Sequence, residues 1–162
     1  LSLQGRIAAN KQAETEGQVP HLVPGAAGSE ITEIGDGWQV YRALTASGAT
    51  AGWVLPASGQ GFADRIELLI GVDRSGSTIT ALYVLAQKET PGLGSRIAES
   101  AWRDQFREIP AGRLSITKGE PTGERDIQAV TGATISSESV VDIVNRALRR
   151  FRGTAAAGGE AG

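Results

Sequence analysis

Two apolar, partly β-branched runs dominate the chain: RIELLIGV at residues 65–72 and TITALYVLAQ at 78–87. Only a short polar stretch opening Asp73-Arg74-Ser75-Gly76 separates them. Runs of this length, joined by a Gly-containing turn, are strands of one antiparallel hairpin. They are expected to form the central pair of a sheet. Upstream, residues 30–34, 38–44 and 49–55 carry strand patterning, with turn signals at Asp36-Gly37 and Ser47-Gly48. Those three segments predict an antiparallel meander, and PASGQGFAD after them reads as a Gly-rich loop.

The rest of the chain supplies helices. Residues 1–16 read as a helix with Leu3, Ile7 and Ala8 on one side, and VPHLVPGAAG after it as extended and turn-rich. Residues 95–106 predict short helices with Ile97, Ala101, Trp102 and Phe106 as the apolar stripe. Residues 113–118 and 127–130 are further short strands around the charged loop GEPTGERD. Residues 136–152 form the best helical pattern, with Val140, Val141, Ile143, Val144, Ala147, Leu148 and Phe151 at three- and four-residue steps. Ser136 or Ser137 is the expected cap, and Arg146, Arg149, Arg150 and Arg152 complement the negative end of the dipole. Residues 153–162 read as a flexible Gly/Ala tail. Strands in one run and helices gathered elsewhere predict an α+β fold, antiparallel with flanking helices. Residues 1–152 are expected to be a single domain.

Absences narrow the chemistry. The 162 residues include no Cys and no Met, and His21 is the only histidine. Disulfides, iron–sulfur clusters and cysteine zinc sites are excluded, as is His/Met or His/His haem ligation. A Ser-His-Asp triad would have to use His21, which reads as a loop histidine. Any redox chemistry must reside on an organic cofactor. A net charge of −2 gives no case for nucleic acid. No apolar run reaches the roughly 20 residues that a membrane span needs.

Two motifs remain as candidate sites. Thr131-Gly132-Ala133-Thr134 joins a β-like run to the C-terminal helix. A Gly-containing turn leading into a helix N-terminus leaves free N–H groups and a positive dipole end, which suit a phosphate. Alone, the four residues also fit a plain strand-to-helix turn with threonine caps. No GxxxxGK[ST] or GxGxxG pattern accompanies them, so neither nucleotide hydrolysis nor a Rossmann site is supported. The second motif, Lys88-Glu89-Thr90-Pro91-Gly92-Leu93-Gly94, forces a turn and permits close backbone approach to a ligand. Glu89 and Thr90 could supply hydrogen bonds.

Together, GFADRIELLIGVD, ALYVLAQKETPGLG and QAVTGATISSESVV, in that order and spacing, resemble the FMN-binding domain found in the G subunit of the Rnf electron-transport complex. The C subunit of the sodium-pumping NADH:quinone reductase is similar. The resemblance covers about residues 61–148. It implies a covalent FMN, joined through its phosphate to the hydroxyl of the last threonine of the [ST]GA[ST] motif, here Thr134, by a dedicated flavin transferase. Thr131, Gly132 and Ala133 complete the attachment turn, and Glu89, Thr90, Gly92, Leu93 and Gly94 become further cofactor contacts. It assigns none of the three Trp, Tyr41 or Tyr83 to the flavin ring.

The resemblance also implies an electron-carrier subunit of a membrane complex coupling ferredoxin and NAD to ion translocation. Its partners would be the other subunits and the flavin transferase. The domain would face the extracytoplasmic side, anchored by an N-terminal transmembrane helix absent from this chain. Two positions depart from the family pattern: Gln128, with Asp126 two residues earlier, replaces a nearer acidic residue, and Gln87 stands where His is common. The rival expectation is a flavin-free extracytoplasmic binding or scaffold domain of the same fold. Thr134, which can be modified, discriminates against it.

Overall fold

The hairpin expected from the two apolar runs is present in the computed structural model, which describes residues 2–157. Strand β4 (Arg65–Asp73) pairs antiparallel with β5 (Thr78–Ala86). Its turn is closed by Gly76, at φ 76°, and by the Asp73 carboxylate, which accepts from the Ser77 amide at 2.8 Å. The other strands are β1 (Gly28–Ile34), β2 (Trp38–Leu44), β3 (Thr50–Gln60) and the two-residue β6 (Ile109–Pro110). They form one six-stranded sheet in the order β1-β2-β3-β4-β5-β6. The central pair is therefore β3 and β4 rather than β4 and β5, because β6 covers β5 at only two residues.

The sheet is buried on both faces, which explains why β4 reads as continuous apolar sequence. Ile66, Leu68, Ile70 and Val72 enter the larger core, while Leu69 enters the smaller one behind it. Helix α3 (Thr134–Arg152) covers the first face with Val140, Val144, Leu148 and Phe151, all at most 1% exposed. Asn145 fixes it further: its side-chain amide accepts from the Leu114 N–H at 2.9 Å and donates to the Leu114 carbonyl at 3.0 Å.

Strand β3 runs five residues past its expected end, through Pro56 and Gly59 to Gln60, so the expected loop shrinks to residues 61–64. Pro56 is tolerated because pairing with β2 has already ended at Val54, leaving β4 as the only partner there. Gly59 is required by packing rather than by a turn. A Cβ at Gly59 would lie 2.5 Å from Arg146 Nη2 and 2.8 Å from Ile143 Cγ1.

Helix α1 (Leu3–Leu22) covers the opposite face and also overruns its expected end, passing through Pro20 and His21. Both residues were expected in extended chain. A proline inside a helix costs about 3 kcal/mol. Continuing the helix buries Val19, Leu22 and the following Val23 against Tyr41, Val54 and Leu69. At about 1.5–3 kcal/mol for each buried aliphatic side chain, burial wins. Gly71 lets the helix end approach, since a Cβ there would meet the Leu22 carbonyl oxygen at 2.5 Å. Leu3, Ile7 and Ala8 are exposed; the buried side of α1 is Thr15, Val19 and Leu22.

Three smaller expectations are also corrected. Ala101 is exposed, whereas Ile97, Trp102 and Phe106 of the same stripe are buried around the short helix α2 (Ser100–Arg103). Strands β7 (Ser115–Thr117) and β8 (Asp126–Gln128) pair parallel, because the intervening loop returns the chain to the start of β7. The Asp126 carboxylate organises that loop by accepting from the Thr122 and Gly123 amides at 3.2 and 2.8 Å. Residues 153–157 of the expected tail fold back, with Ala156 only 4% exposed and Thr154 packed near Gly35. Residues 158–162 of that expectation lie outside the described residues. No helix among the described residues is long and apolar enough to cross a membrane.

Candidate functional site

Both candidate motifs fold into the same kind of turn. In one, the Ala133 amide donates to the Val130 carbonyl at 2.9 Å, with Gly132 at φ 79°. In the other, Leu93 donates to the Thr90 carbonyl at 3.1 Å, with Gly92 at φ 74° following Pro91. A positive φ at the third position is the type II signature, and only glycine takes it without strain. The turns touch, because a Cβ on Gly132 would stand 3.3 Å from Leu93 Cδ2.

Helix α3 begins at Thr134, with Ala133 as the capping residue and no side-chain cap. The serines expected to cap it are buried and bond elsewhere. Ser137 Oγ accepts from the Val130 amide at 3.0 Å and donates to the Ala133 carbonyl at 2.9 Å, bracing the turn from within. Ser136 Oγ donates to Glu89 Oε1 at 2.6 Å. The first-turn amides of α3 are left without a capping side chain beside Thr134.

Glu89 is the buried centre of the arrangement, at 4% exposure. Besides Ser136, its carboxylate accepts from the amides of Phe62 at 2.8 Å, Ala63 at 3.0 Å and Asp64 at 3.3 Å. Three successive N–H groups converging on one anion form a backbone nest. Burial, the largest single influence, pushes the Glu89 carboxyl up. The Ser136 hydroxyl and the Ala63, Phe62 and Asp64 amides together outweigh burial and hold it below the ordinary glutamate value. Two glycines make room for the carboxylate: a Cβ on Gly61 would lie 2.9 Å from Glu89 Oε1, and one on Gly94 would lie 2.8 Å from Glu89 Cβ.

Above this knot lies a cleft of about 350 Å³, lined by Phe62, Thr90, Leu93, Gly94, Ala133, Thr134, Ile135 and neighbouring backbone. It falls within the usual size range of small-molecule sites. Thr134 is half-buried on its wall. Phe62, Leu93 and Ile135 on its rim are 62%, 45% and 54% exposed. The fold thus brings Gly132, Ala133, Thr134, Thr90, Leu93 and Gly94 together. Glu89 lies beneath the cleft, and Gly92 shapes the turn without lining it. Thr131 instead faces a neighbouring cleft of about 510 Å³ with Arg96, Trp102 and Gln128.

Sequence reasoning missed Phe62, Ile135 and Ser136. An exposed aromatic in a Gly-bounded loop before a strand was the available signal for Phe62. Of the aromatics considered, Trp38, Trp53, Trp102 and Tyr41 are buried, and Tyr83 donates to Glu14 on α1 at 2.7 Å. None of them lines the cleft beside Thr134. Of the two departures from the family pattern, Gln87 has a side-chain partner, its Oε1 accepting from the Glu89 amide at 2.8 Å, whereas Gln128 bonds through its backbone, its carbonyl accepting from Trp102 Nε1 at 2.8 Å.

An antiparallel meander backed by a long helix, whose first turn opens with a threonine on an apolar-rimmed cleft, defines a small-molecule-binding domain of the α+β class. The profile of the family described as FMN-binding domain matches residues 61–149, and the chain belongs to that family. The G subunit of the ion-translocating oxidoreductase complex of Methanosarcina acetivorans is 34% identical over 145 residues, covering 85% of this chain and 75% of that protein. The G subunit of the proton-translocating ferredoxin:NAD(+) oxidoreductase complex of Clostridium ljungdahlii is 30% identical, covering 89% of this chain and 76% of that protein. In fold, the chain is similar to the crystal structure of the C subunit of the Na(+)-translocating NADH-quinone reductase from Parabacteroides distasonis. There the TM-score is 0.67 at 18% identity, covering 93% of this chain and 96% of that one.

Proposed function

We propose that this domain carries FMN as a covalent phosphoester on Thr134 and serves as an electron-carrying subunit of an ion-translocating oxidoreductase complex. One observation carries the reading: half-buried Thr134 is the first residue of a helix without a side-chain cap and stands on the wall of an apolar-rimmed cleft.

The residues present fit the group. A phosphodiester keeps one negative charge, and the first-turn amides of α3 with the positive end of its dipole stabilise it. Gly132 and Ala133 keep side chains clear of the Thr134 hydroxyl, giving a flavin transferase access. In attachment, Thr134 Oγ1 would form a P–O bond to the FMN phosphorus of a phosphoanhydride donor. The anhydride P–O bond would break with the second phosphate group leaving, and the hydroxyl proton would pass to a base of the transferase. Phe62, Leu93 and Ile135 offer apolar surface to a flat ring, and Thr90 and Gly94 stand across the cleft. Glu89 and Gly92 contribute by shaping these walls. Thr131 shapes the attachment turn through its backbone. FMN, when bound, supplies the one- and two-electron chemistry.

The relatives' names support membership of a multi-subunit complex at a membrane. In this reading the domain lies on the extracytoplasmic side, held by an N-terminal transmembrane helix in the full-length protein. It receives its flavin from a flavin transferase and exchanges electrons with neighbouring subunits.

The test is co-expression with a flavin transferase, followed by intact-mass measurement and peptide mapping. The expected result is yellow protein that keeps its colour after denaturation, with the FMN adduct on the peptide containing Thr134. Thr134→Val removes the adduct. Wild-type protein that releases all its flavin on denaturation refutes the covalent bond. Wild-type protein that takes up no flavin favours the flavin-free scaffold.

A further inference from the structure

We propose that Phe62 is the aromatic side chain that packs against the flavin ring, and that Glu89 is the positioning residue that holds it there. The inference rests on the FMN-carrier reading above.

Phe62 has no structural occupation. The residue is 62% exposed and belongs to neither hydrophobic core. It is nevertheless the aromatic side chain lining the cleft that contains Thr134. Its backbone is held with unusual thoroughness. The Phe62, Ala63 and Asp64 amides all donate to one buried carboxylate, and the Gly61 amide donates to the Asp64 carbonyl at 2.8 Å. Burying an ionised carboxylate is unfavourable unless its hydrogen bonds compensate. Here that carboxylate fixes a short loop on which Phe62 is the one large side chain. The same carboxylate accepts from Ser136 in the first turn of α3, two residues after Thr134. Glu89 therefore sets the loop and the attachment point in one frame.

A ring tethered at Thr134 and lying in this cleft meets Phe62 on one side and Leu93 and Ile135 on the others. Flat aromatic systems favour offset or edge contacts with such a neighbour. Glu89 itself is saturated by protein donors. Its effect on the flavin passes through Phe62 and the α3 first turn rather than through direct contact.

The experiment uses protein flavinylated by co-expression with the transferase, with covalent FMN per chain quantified after denaturation. Tryptophan in contact with an excited flavin quenches its fluorescence by electron donation, whereas phenylalanine does not. Per covalent FMN bound, Phe62→Trp is expected to lose flavin fluorescence several-fold in the folded state, recovering it on unfolding. Ile31→Trp, exposed on β1, is the control and leaves fluorescence unchanged. Adding Glu89→Gln to Phe62→Trp is expected to restore much of the fluorescence while circular dichroism stays native. Gln presents an N–H₂ to donors that need an acceptor, so the loop is released. Phe62→Trp needs no repacking of the core, so it decides the stacking claim even where Glu89→Gln fails to fold.

Phe62→Trp protein whose fluorescence per covalent FMN is unquenched overturns the proposal and leaves the carrier reading intact. Quenching that persists in a folded double variant overturns the role of Glu89. Wild-type protein without flavin overturns the carrier reading and this proposal with it.

Discussion

Gly94→Ala is a substitution whose sign two effects contest. Gly94 opens the short 3-10 segment Gly94–Ala98 and does not occupy the left-handed region. By backbone entropy alone, alanine would stabilise the protein by about 0.4–1 kcal/mol. The site has no room for it, however. The added Cβ would lie 2.5 Å from Ser136 Oγ and 2.8 Å from Glu89 Cβ, both belonging to buried residues. Overpacking of this kind costs about 1–3 kcal/mol. The net expectation is destabilisation by about 0.5–2 kcal/mol. With a urea m-value of about 1–3 kcal/mol/M, the midpoint falls by roughly 0.5 M. A double-mutant cycle with Ser136→Ala sharpens the test, because it removes the closer of the two clashes. The double variant is expected to be more stable than the sum of the single effects, by about 0.5–1 kcal/mol. Equilibrium urea unfolding followed by circular dichroism measures all four proteins. Gly94→Ala at or above wild-type stability, or strict additivity in the cycle, would refute the packing argument.

Three further outcomes follow from the geometry. The Glu89 carboxyl is held below the ordinary glutamate value in the native state. The unfolded chain therefore binds the extra proton first, and stability falls as pH drops from the ordinary value toward the native one. Urea midpoints measured across that acid range should decline, and Glu89→Gln should flatten the decline; an unchanged slope would remove Glu89 from the acid response. Asn145→Ala strips hydrogen bonds from both backbone groups of buried Leu114. It should cost about 2–4 kcal/mol in urea unfolding, and a loss below about 0.5 kcal/mol would contradict that role. Thr131→Val should leave the covalent FMN yield unchanged, because Thr131 faces the neighbouring cleft. An intact mass lacking the adduct would show that Thr131 takes part in attachment.

The sequence carried the parts of this fold that depend on local pattern. Strand β2 ends where its apolar alternation ends, β4 and β5 flank the turn that Gly76 closes, and α3 follows its three- and four-residue spacing. The parts that escaped are those where a distant neighbour decides. Gly59 looks like a loop residue until Ile143 and Arg146 of α3 lie against it, and Pro20 looks like a helix stop until Val19, Leu22 and Val23 find the sheet. The site divides the same way. The two turns were legible because Pro and Gly at fixed places dictate their geometry. Phe62 was not, because what holds it is a carboxylate 27 residues further along. Ser136 was expected to cap its own helix and instead donates to a group 47 residues back in the chain.

That one carboxylate has a bearing on how the molecule folds. Glu89 joins three segments that lie far apart along the chain. Contacts of large sequence separation repay their loop-closure entropy only after the intervening chain is ordered. The hairpin of β4 and β5 can zip from its turn and carry Glu89 to residues 62–64, which continue its register, but the knot is complete only when Ser136 of α3 docks on it. The cleft, whose walls come from both sides of that contact, is therefore complete only once α3 has docked. Any enzyme that recognises its finished shape before modifying Thr134 would act only on chains that have completed folding.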